Sequence, residues 1–303
     1  MIYDVIIVGG GPGGLTAAIY TCRAGLKTVL LEMGAPGGQA ATTDMIDNYP
    51  GFPEGVAGPD LMMNFYNQAA RFGCEFRTAE VTGVSDKGGV RLVETAQGNI
   101  EGKTVIIATG ASPRGLGVKG EQEFRGRGVS FCATCDGFFF KDKSVVVVGG
   151  GDSAVKEAIY LSKLAGSVTI IHRRDEFRAA EVLSDKVKDI GNIRVIWDSV
   201  VDEIIGSGRL EKVAIHNIKT QESSEIGADG VFLYVGTQPN TAFLDGAFSR
   251  NAQGYLLADE KLQTSVKGVF AVGDCRAKLS RQVASAVGDG ASVLAAIEES
   301  SLT

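Results

Sequence analysis

A glycine-rich strand–turn–helix unit occurs twice in this chain, and the repeat constrains the fold more than any other feature. Residues 4–8 are a continuous apolar run, followed by GGGPGG at 9–14, a helix-like stretch and a strand that ends at Glu32. Residues 144–148 begin the same pattern, with GGGDSA at 149–154 and another strand after it. Continuous apolar runs indicate parallel strands buried on both faces. The sequence therefore predicts an α/β fold with two Rossmann-like, three-layer dinucleotide-binding domains.

The first loop has the spacing of a pyrophosphate-binding turn. Gly9 allows a tight turn, Gly11 lets backbone N–H groups approach a phosphate, and Gly14 permits close packing of helix on strand. Pro12 lies in the same loop, before a helix whose N-terminus faces the phosphates. Glu32 ends the next strand, where a carboxylate can hydrogen-bond a ribose hydroxyl. The loop therefore predicts a dinucleotide site.

The second glycine-loop repeat differs from the first at the end of its second strand. An acid at that position favours a free ribose 2′-hydroxyl, whereas arginines grip a 2′-phosphate through paired hydrogen bonds. The first unit has an acid there and the second has a basic run, which predicts FAD at the first loop and NADPH at the second. A solvated basic helix start is the alternative interpretation. The residues predicted at NADPH are Gly151, Asp152, Ser153, His172, Arg173, Arg174 and Arg178.

A CxxC motif lies between the two loops. Cys132 and Cys135 are followed directly by Asp136, with aromatic residues on both sides. In a reducing cytosol a close CxxC is more often catalytic or metal-binding than part of a disulfide framework. A zinc site needs two further ligands, and the other three of the five cysteines form no second close pair in the sequence. We therefore predict no metal and interpret the motif as a redox disulfide that receives electrons.

Length and charge narrow the function further. The 303 residues predict about two domains. A net charge of −6 leaves no dominant basic face for nucleic acid. No apolar run approaches the roughly 20 residues that span a bilayer. The N-terminus runs into the first strand with no basic region or cleavage site, so we predict no signal peptide and a cytoplasmic protein.

In combination the motifs resemble one family, the low-molecular-weight NADPH-dependent thioredoxin reductases, which are flavoprotein pyridine nucleotide-disulphide oxidoreductases. The resemblance covers essentially the whole chain and rests on residues 9–14, 37–39, 132–137, 149–154, 172–179, 273–274 and 281–282. It implies an FAD domain made of residues 1–112 and 241–303. An NADPH domain that carries the CxxC is inserted at 113–240. It also implies a homodimer whose partner is thioredoxin.

The resemblance also assigns residues to the flavin. Beyond the first loop and Glu32, these are Gly38, Gln39, Asn48, Gly110, Asp274, Arg281, Gln282 and Val283. From the residues alone, Gln39 and Asn48 either reach a flavin ring or form surface turns, and Asp274 either holds a ribityl hydroxyl or is a buried turn acid. The chain departs modestly from the family, with Asp152-Ser153 where many members have Asn-Thr and Val283 where many have Ala. Cys275, beside the expected flavin site, has no role in this scheme.

By resemblance, electrons pass from NADPH through FAD to the Cys132–Cys135 disulfide and then to oxidised thioredoxin. Cys135 faces the flavin, Cys132 attacks thioredoxin, and Asp136 acts as acid or base through water. Since the CxxC and NADPH share one domain, that domain rotates between half-reactions, with hinges near 111–115 and 236–240. The alternatives are a related reductase with ferredoxin as donor or a peroxiredoxin as acceptor, a metal-binding or structural protein, and a flavin redox sensor.

Overall fold

The computed structural model describes residues 2–43, 45–46 and 48–301, and the contacts within the chain divide it into two units. Unit 1 comprises Met1–Ser112 and Gln238–Thr303. Unit 2 comprises Pro113–Thr237 and is therefore an insertion into unit 1.

The return connection joins unit 1 slightly earlier than the boundary drawn from the sequence. Residues 238–240, grouped there with the inserted domain, fall in unit 1. The reason is a set of hydrogen bonds to the end of the first segment. Asn240 Nδ2 donates to the Thr109 carbonyl at 2.9 Å, and the Asn240 N–H donates to the Gly110 carbonyl at 3.0 Å.

The first segment of unit 1 alternates strands and helices. In chain order it contains β1 (Ile2–Val8), α1 (Pro12–Arg23), β2 (Thr28–Glu32), α2 (Gly58–Arg71), β3 (Glu75–Thr78), β4 (Val81–Lys87), β5 (Val90–Thr95), β6 (Ile100–Ile107) and β7 (Ala111–Pro113). A 3-10 turn at Gly38–Thr42 interrupts the connection between β2 and α2.

Unit 2 repeats the alternation and adds an antiparallel sheet. Its elements are β8 (Val129–Ser130), α3 (Ala133–Asp136), β9 (Ser144–Val148), α4 (Asp152–Leu161), β10 (Ser167–Ile171), α5 (Glu181–Lys188), β11 (Ile193–Ile196), β12 (Ser199–Ser207), β13 (Arg209–Asn217), β14 (Ser223–Gly227) and β15 (Gly230–Leu233). The chain returns through β16 (Thr237–Pro239), β17 (Val269–Ala271) and α6 (Val283–Ser301). Strand β16 pairs with β7, so the two connections run side by side.

The sheet of unit 1 has the order β3-β2-β1-β6-β5-β4, with β17 also paired to β6. Strands β1, β2, β3, β6 and β17 are parallel, and β4–β5 form an antiparallel hairpin. Ile107 is the register partner of both Val8 and Ala271. The loops that follow these three strands are therefore neighbours at one edge, where ligands bind in open α/β sheets.

The main sheet of unit 2 is fully parallel, in the order β11-β10-β9-β15-β8. Val148 is the partner of both Ile171 and Leu233 at its carboxyl edge. Since β8 pairs with β15 in the same direction, the CxxC that follows β8 lies at the edge that also bears the second glycine loop. The predicted α/β fold with parallel sheets is confirmed.

The two faces of the main sheet of unit 2 are covered by different layers. Helix α4 packs its Ala154, Ala158 and Leu161 on one face. The antiparallel sheet β12-β13-β14 packs Ile204 and Val213 on the other. Burial of apolar surface holds these layers together, and it contributes a stabilising free energy of about 25 cal/mol per Å² buried. Within the described ranges, no helix combines the length and apolar character that crossing a bilayer requires.

Candidate redox and nucleotide sites

Cys132 and Cys135 form a disulfide, with their Cα atoms 5.3 Å apart. Cys132 precedes the single turn of α3, and Cys135 lies within it. Both residues are half-buried. The predicted disulfide is therefore present at the carboxyl edge of the unit 2 sheet and stays partly open to solvent.

Ser130 ties the two ends of this turn together. Its hydroxyl donates to the Asp136 carboxylate at 2.5 Å and accepts the Cys132 N–H at 3.1 Å. Ser130 is buried at the end of β8, where a polar residue needs partners. The carboxylate predicted as acid or base is thereby held beside the disulfide. Ser130 was not predicted from the sequence, although a polar residue in a buried strand just before the CxxC was the available signal.

Two other residues behind the disulfide were also missed. The Tyr234 hydroxyl accepts the N–H of Ala133, the buried residue between the cysteines, at 2.6 Å. Glu157 on α4 has a buried Oε2 with no hydrogen-bond partner among residues 2–43, 45–46 and 48–301. Burial raises the pKa of Glu157, and burial together with the Glu157 carboxylate raises the pKa of Tyr234 well above its usual value. Tyr234 is thus a neutral hydroxyl that anchors the redox turn.

An exposed aromatic pair adjoins the disulfide. Phe138 is 70% exposed and Phe139 is 50% exposed, in the 3-10 turn Gly137–Phe140 that follows α3. Adjacent exposed aromatic side chains form a contiguous apolar patch, and such patches mark protein–protein contact surfaces. The disulfide therefore lies beside a surface suited to a protein partner.

The first glycine loop has the shape of a phosphate cradle. A Cβ on Gly9, which has φ +109°, would lie 2.5 Å from the Ala108 carbonyl oxygen, and one on Gly14 would lie 2.0 Å from the Gly9 oxygen. A Cβ on Gly11 would meet nothing within 4 Å. Gly11 therefore borders open space at the N-terminus of α1, whose first turn carries no acid. That space suits a phosphate group.

Glu32, which the sequence predicts to bind a ribose, lies beside this cradle. Its carboxylate accepts the Gly10 N–H at 2.7 Å and the Gly34 N–H at 3.0 Å. A Cβ on Gly38 would lie 3.3 Å from the Gly11 Cα, which puts the Gly38 turn next to the loop. Carboxylate, loop and turn thus form one continuous surface at the ends of β1 and β2.

The other predicted flavin residues come from separate loops of unit 1. Asn48 Nδ2 donates to Gln282 Oε1 at 3.0 Å, so residues far apart in the chain meet. Gln39 Nε2 donates to the Ala111 carbonyl. Gly110 follows β6 with φ +67°, and Val283 begins α6. Gln39 and Asn48 therefore hold adjoining loops together.

Two buried polar atoms in this region make no hydrogen bond to the described residues. Asp274 Oδ1 and Arg281 Nε are buried without a hydrogen bond to any part of the chain that the structure describes. Lys278 Nζ lies 3.5 Å from Asp274 Oδ1, and burial raises the Asp274 pKa against the lowering effect of Lys278 and Arg281. The Arg281 guanidinium lies over the Tyr255 ring, 4.0 Å from its centroid. A ligand rich in hydroxyl and phosphate groups would satisfy both atoms, so these residues fit FAD.

The second glycine loop repeats the cradle. A Cβ on Gly149, which has φ +142°, would lie 2.5 Å from the Tyr234 carbonyl oxygen, whereas one on Gly151 would meet nothing within 4 Å. Asp152 Oδ1 accepts the Ala180 N–H at 2.8 Å, and Ser153 is exposed. The donor set at the start of α4 therefore fits a second nucleotide.

His172 and the arginines have different surroundings. The His172 ring is 4% exposed and packs on Gly150, where a Cβ would lie 2.4 Å from the ring. Burial lowers the His172 pKa, and the nearby arginines lower it further, so the ring is neutral near pH 7. Its Nε2 is left without a partner in the described chain. Arg173, Arg174 and Arg178 are exposed, and no described carboxylate forms an ion pair with them, which leaves them available to a phosphate.

Cys275, for which the sequence offered no role, is a core residue. It is fully buried, and its thiol donates to the carbonyls of Ile107 and Val272 at 3.3 Å. Burial raises the pKa of this thiol to about 11. Among the described residues, no group of three or more His, Cys, Asp and Glu side chains is arranged to hold a metal.

Comparisons with known proteins agree with the family that the sequence motifs resemble. Residues 3–290 match the family of pyridine nucleotide-disulphide oxidoreductases. The chain is 44% identical to the thioredoxin reductase of Bacillus subtilis (strain 168) over 290 residues, which is 95% of this chain and 92% of the relative. It is similar to the crystal structure of thioredoxin reductase from Streptococcus pyogenes MGAS5005, with a TM-score of 0.87, 44% identity and coverage of 99% and 98%. It is also similar to Lactococcus lactis thioredoxin reductase in the FR conformation, with a TM-score of 0.74, 43% identity and coverage of 99% of both chains.

Proposed function

The chain belongs to the pyridine nucleotide-disulphide oxidoreductase family, and from its likeness to thioredoxin reductases we infer that it is an NADPH-dependent thioredoxin-disulfide reductase that uses FAD. The Cys132–Cys135 disulfide carries this inference, because it lies at the sheet edge that bears the second glycine loop. FAD, when bound, supplies the two-electron chemistry that links NADPH to the disulfide. A ferredoxin donor or a peroxiredoxin acceptor is not favoured, since the relatives are thioredoxin reductases that resemble this chain throughout.

We assign FAD to unit 1 and NADPH to unit 2. Asp274 Oδ1 and Arg281 Nε, which make no hydrogen bond within the described chain, and the open space at Gly11 support the first assignment. The arginines after β10, which form no ion pair within the described part of the chain, support the second, because a 2′-phosphate is the group that distinguishes NADPH from NADH. Within unit 2, the buried His172 ring fills the space beside Gly150, and the exposed arginines are free to bind the 2′-phosphate.

The chain's own residues carry the thioredoxin half-reaction. The Cys132 thiolate attacks one sulfur of the thioredoxin disulfide, and the other thioredoxin sulfur leaves as a thiolate. Cys135 then attacks Cys132, which releases the second thioredoxin thiolate and re-forms the Cys132–Cys135 disulfide. Asp136, held by Ser130 at 2.5 Å, exchanges protons with these sulfurs through water. Phe138 and Phe139 provide the contact surface for thioredoxin.

Nucleotide preference tests the assignment of the arginines. Replacing Arg173 and Arg174 with alanine is expected to raise the KM for NADPH by roughly 10- to 100-fold, because a hydrogen bond to a charged group contributes about 1.5–3 kcal/mol. The KM for NADH should change little. The measurement is steady-state reduction of thioredoxin with each nucleotide. Arg194→Ala is the matched control, an exposed unit 2 arginine on β11. Equal losses with both nucleotides would contradict the assignment.

We further propose that unit 2 rotates between half-reactions. The disulfide and the NADPH loop share one unit. The nicotinamide and the disulfide must each reach the flavin, and the cysteines must also reach thioredoxin. A single rigid arrangement of the two units does not allow all three contacts. We place the hinge at the paired connections β7 and β16, where the chain crosses between the two units. Crosslinking the two units with a short bifunctional reagent should block turnover while FAD stays bound, whereas its monofunctional analogue should not. Full turnover in the crosslinked protein would rule out rotation.

The assembly and its cellular site are also proposals. A homodimer follows from the family resemblance, and sedimentation equilibrium that shows a monomer at micromolar concentration would contradict it. A cytoplasmic site is supported by the three free cysteines, which a reducing compartment keeps as thiols.

A further inference from the structure

Asp289, in the second turn of α6, is a buried carboxylate outside the residues assigned to either nucleotide. It is 9% exposed, and four hydrogen bonds converge on it. Its Oδ2 accepts the Gly273 N–H at 2.9 Å, Arg276 Nε at 2.9 Å and Lys278 Nζ at 3.1 Å. Its Oδ1 accepts Arg276 Nη2 at 2.7 Å. Charge-assisted and bidentate bonds of this kind fix the orientation of a carboxylate.

The donors come from both sides of Asp274, the acid assigned to the flavin. Gly273 precedes it, and the two basic residues follow it. The segment 273–278 therefore curves around the Asp289 carboxylate. Lys278 Nζ lies 3.5 Å from Asp274 Oδ1 and 3.1 Å from Asp289 Oδ2, so one ammonium faces two carboxylates. The hydrogen bonds go to Asp289, and Asp274 Oδ1 accepts none from the described residues.

Lys278 also joins this network to a second stretch assigned to the flavin. Its side chain is 7% exposed, and its Nζ donates to Ser285 Oγ at 3.3 Å. The Ser285 hydroxyl in turn accepts the Gln282 N–H at 3.1 Å. Asp289 is therefore linked through Lys278 to the backbone of Gln282 as well.

The same turn of α6 touches the first glycine loop. A Cβ on Gly290 would lie 2.4 Å from the Gly13 carbonyl oxygen, and a Cβ on Gly13 would lie 3.6 Å from the Gly273 Cα. Gly273 has φ +71°, in the left-handed region that favours glycine. The phosphate cradle, the Gly273 turn and α6 therefore meet at one place, and Asp289 bonds the turn there.

The charges explain why a carboxylate is needed at this position. Burial alone would raise the pKa of Asp289, but Arg276, Lys278 and the Gly273 N–H lower it below its usual value. Without this carboxylate, two buried cations would lose their anion, which is strongly unfavourable. The lysine has the flexible stem, and the other carboxylate that it contacts in the described chain is Asp274. The ammonium would then move towards Asp274.

We propose that Asp289 is a positioning residue for the flavin site: it anchors the Gly273 turn before Asp274 and keeps Lys278 from pairing with the Asp274 carboxylate. That carboxylate thereby stays open to a hydroxyl group of the cofactor. The inference rests on the proposed binding of FAD in unit 1. Asp289 needs no contact with the ligand, because the chain's own donors occupy its oxygens. Its effect on FAD is exerted through Asp274.

A double-mutant cycle with Asp274 tests this. The FAD-loaded protein is diluted in steps, ultrafiltration separates the free flavin, and its fluorescence gives the Kd for FAD. Asp289→Asn and Asp274→Asn are each expected to raise this Kd by roughly 10- to 100-fold, the scale on which a hydrogen bond to a charged group acts. In the Asp274→Asn protein, the further change Asp289→Asn should raise the Kd by less than about threefold, because coupled residues are not additive.

A charge-balanced variant separates positioning from a loss of folded structure. Lys278→Met, added to Asp289→Asn, removes the released ammonium and leaves no excess of buried positive charge. This double variant should bind FAD at least about threefold more tightly than Asp289→Asn alone, because nothing then pairs with Asp274 in place of the ligand. It also takes the place of Asp289→Asn in the cycle if the single variant yields little folded protein.

Glu299→Gln is the matched control. Glu299 is another carboxylate of α6, and it pairs with Lys261 at 2.7 Å, but both side chains are exposed. Its replacement should leave the Kd for FAD unchanged.

Two outcomes would overturn the proposal. One is an Asp289→Asn protein that binds FAD as tightly as the parent. The other is an equal effect of Asp289→Asn with and without Asp274, which would indicate general support of the fold. A parent protein that binds no FAD would instead refute the cofactor assignment itself, and this inference with it.

Discussion

A Cys135→Ser protein is expected to lose thioredoxin reduction by roughly 10³-fold or more, the scale on which loss of a covalent nucleophile acts. It should keep its yellow FAD, and NADPH should still bleach that colour under anaerobic conditions, because neither nucleotide cradle includes this cysteine. Cys132→Ser should show the same loss. The measurement is a coupled assay with oxidised thioredoxin beside an anaerobic absorbance titration. Cys275→Ala is the control, since its thiol is confined to the core of unit 1.

The two cysteine variants also assign the roles within the pair. If Cys132 attacks thioredoxin, Cys135→Ser has no resolving thiol and should accumulate a covalent complex with thioredoxin, visible on a non-reducing gel. Cys132→Ser should not form this complex. The opposite pattern would exchange the two roles. A covalent complex with neither variant would remove thioredoxin as the acceptor while leaving the flavin chemistry intact.

The sequence predicted the parts of this fold that depend on residues close together in the chain. Apolar strands and glycines with positive φ act over a few residues, so both cradles and the strands before them were recognisable in the sequence. Gln282 was assigned to the flavin only by resemblance, and its contact with Asn48 was not predicted, because the two residues lie on loops far apart in the chain. The sequence also predicted a functional residue at the end of the second strand of each glycine-loop repeat, Glu32 and His172. The two residues have different surroundings in the structure. Glu32 bonds the loop backbone, whereas His172 lies in the space that Gly150 leaves open.

The residues that the sequence did not reveal act through tertiary contacts. Tyr234 reaches the redox turn only because β15 ends beside β8 in the parallel sheet. Spacing motifs therefore predict sites built within one turn and miss sites built across elements.

Alanine substitutions at two glycines of the first loop are expected to have large and different effects. One should lower the stability of the fold, and the other should weaken FAD binding. Gly14→Ala puts a Cβ 2.0 Å from the backbone oxygen of Gly9, which no side-chain rotation relieves. The loop must shift, and overpacking of this kind costs about 1–3 kcal/mol or more. The FAD-free protein should therefore melt at a lower temperature. In the second loop Ala154 fills the corresponding position fully buried, so its surroundings are already shaped for a methyl group.

Gly11→Ala is the matched change in the same loop. Gly11 has φ −75°, which suits any residue, and a Cβ there meets nothing within 4 Å. The FAD-free protein should thus be as stable as the parent, or more so by about 0.4–1 kcal/mol, because alanine restricts the unfolded chain. The methyl group occupies the approach of the pyrophosphate, so FAD binding should weaken roughly 10- to 100-fold, the equivalent of about 1–3 kcal/mol of crowding. Thermal unfolding of the FAD-free protein and flavin retained after gel filtration measure the two effects separately. If Gly11→Ala retained flavin as well as the parent, the pyrophosphate would not lie over Gly11, and the open space there would need another occupant.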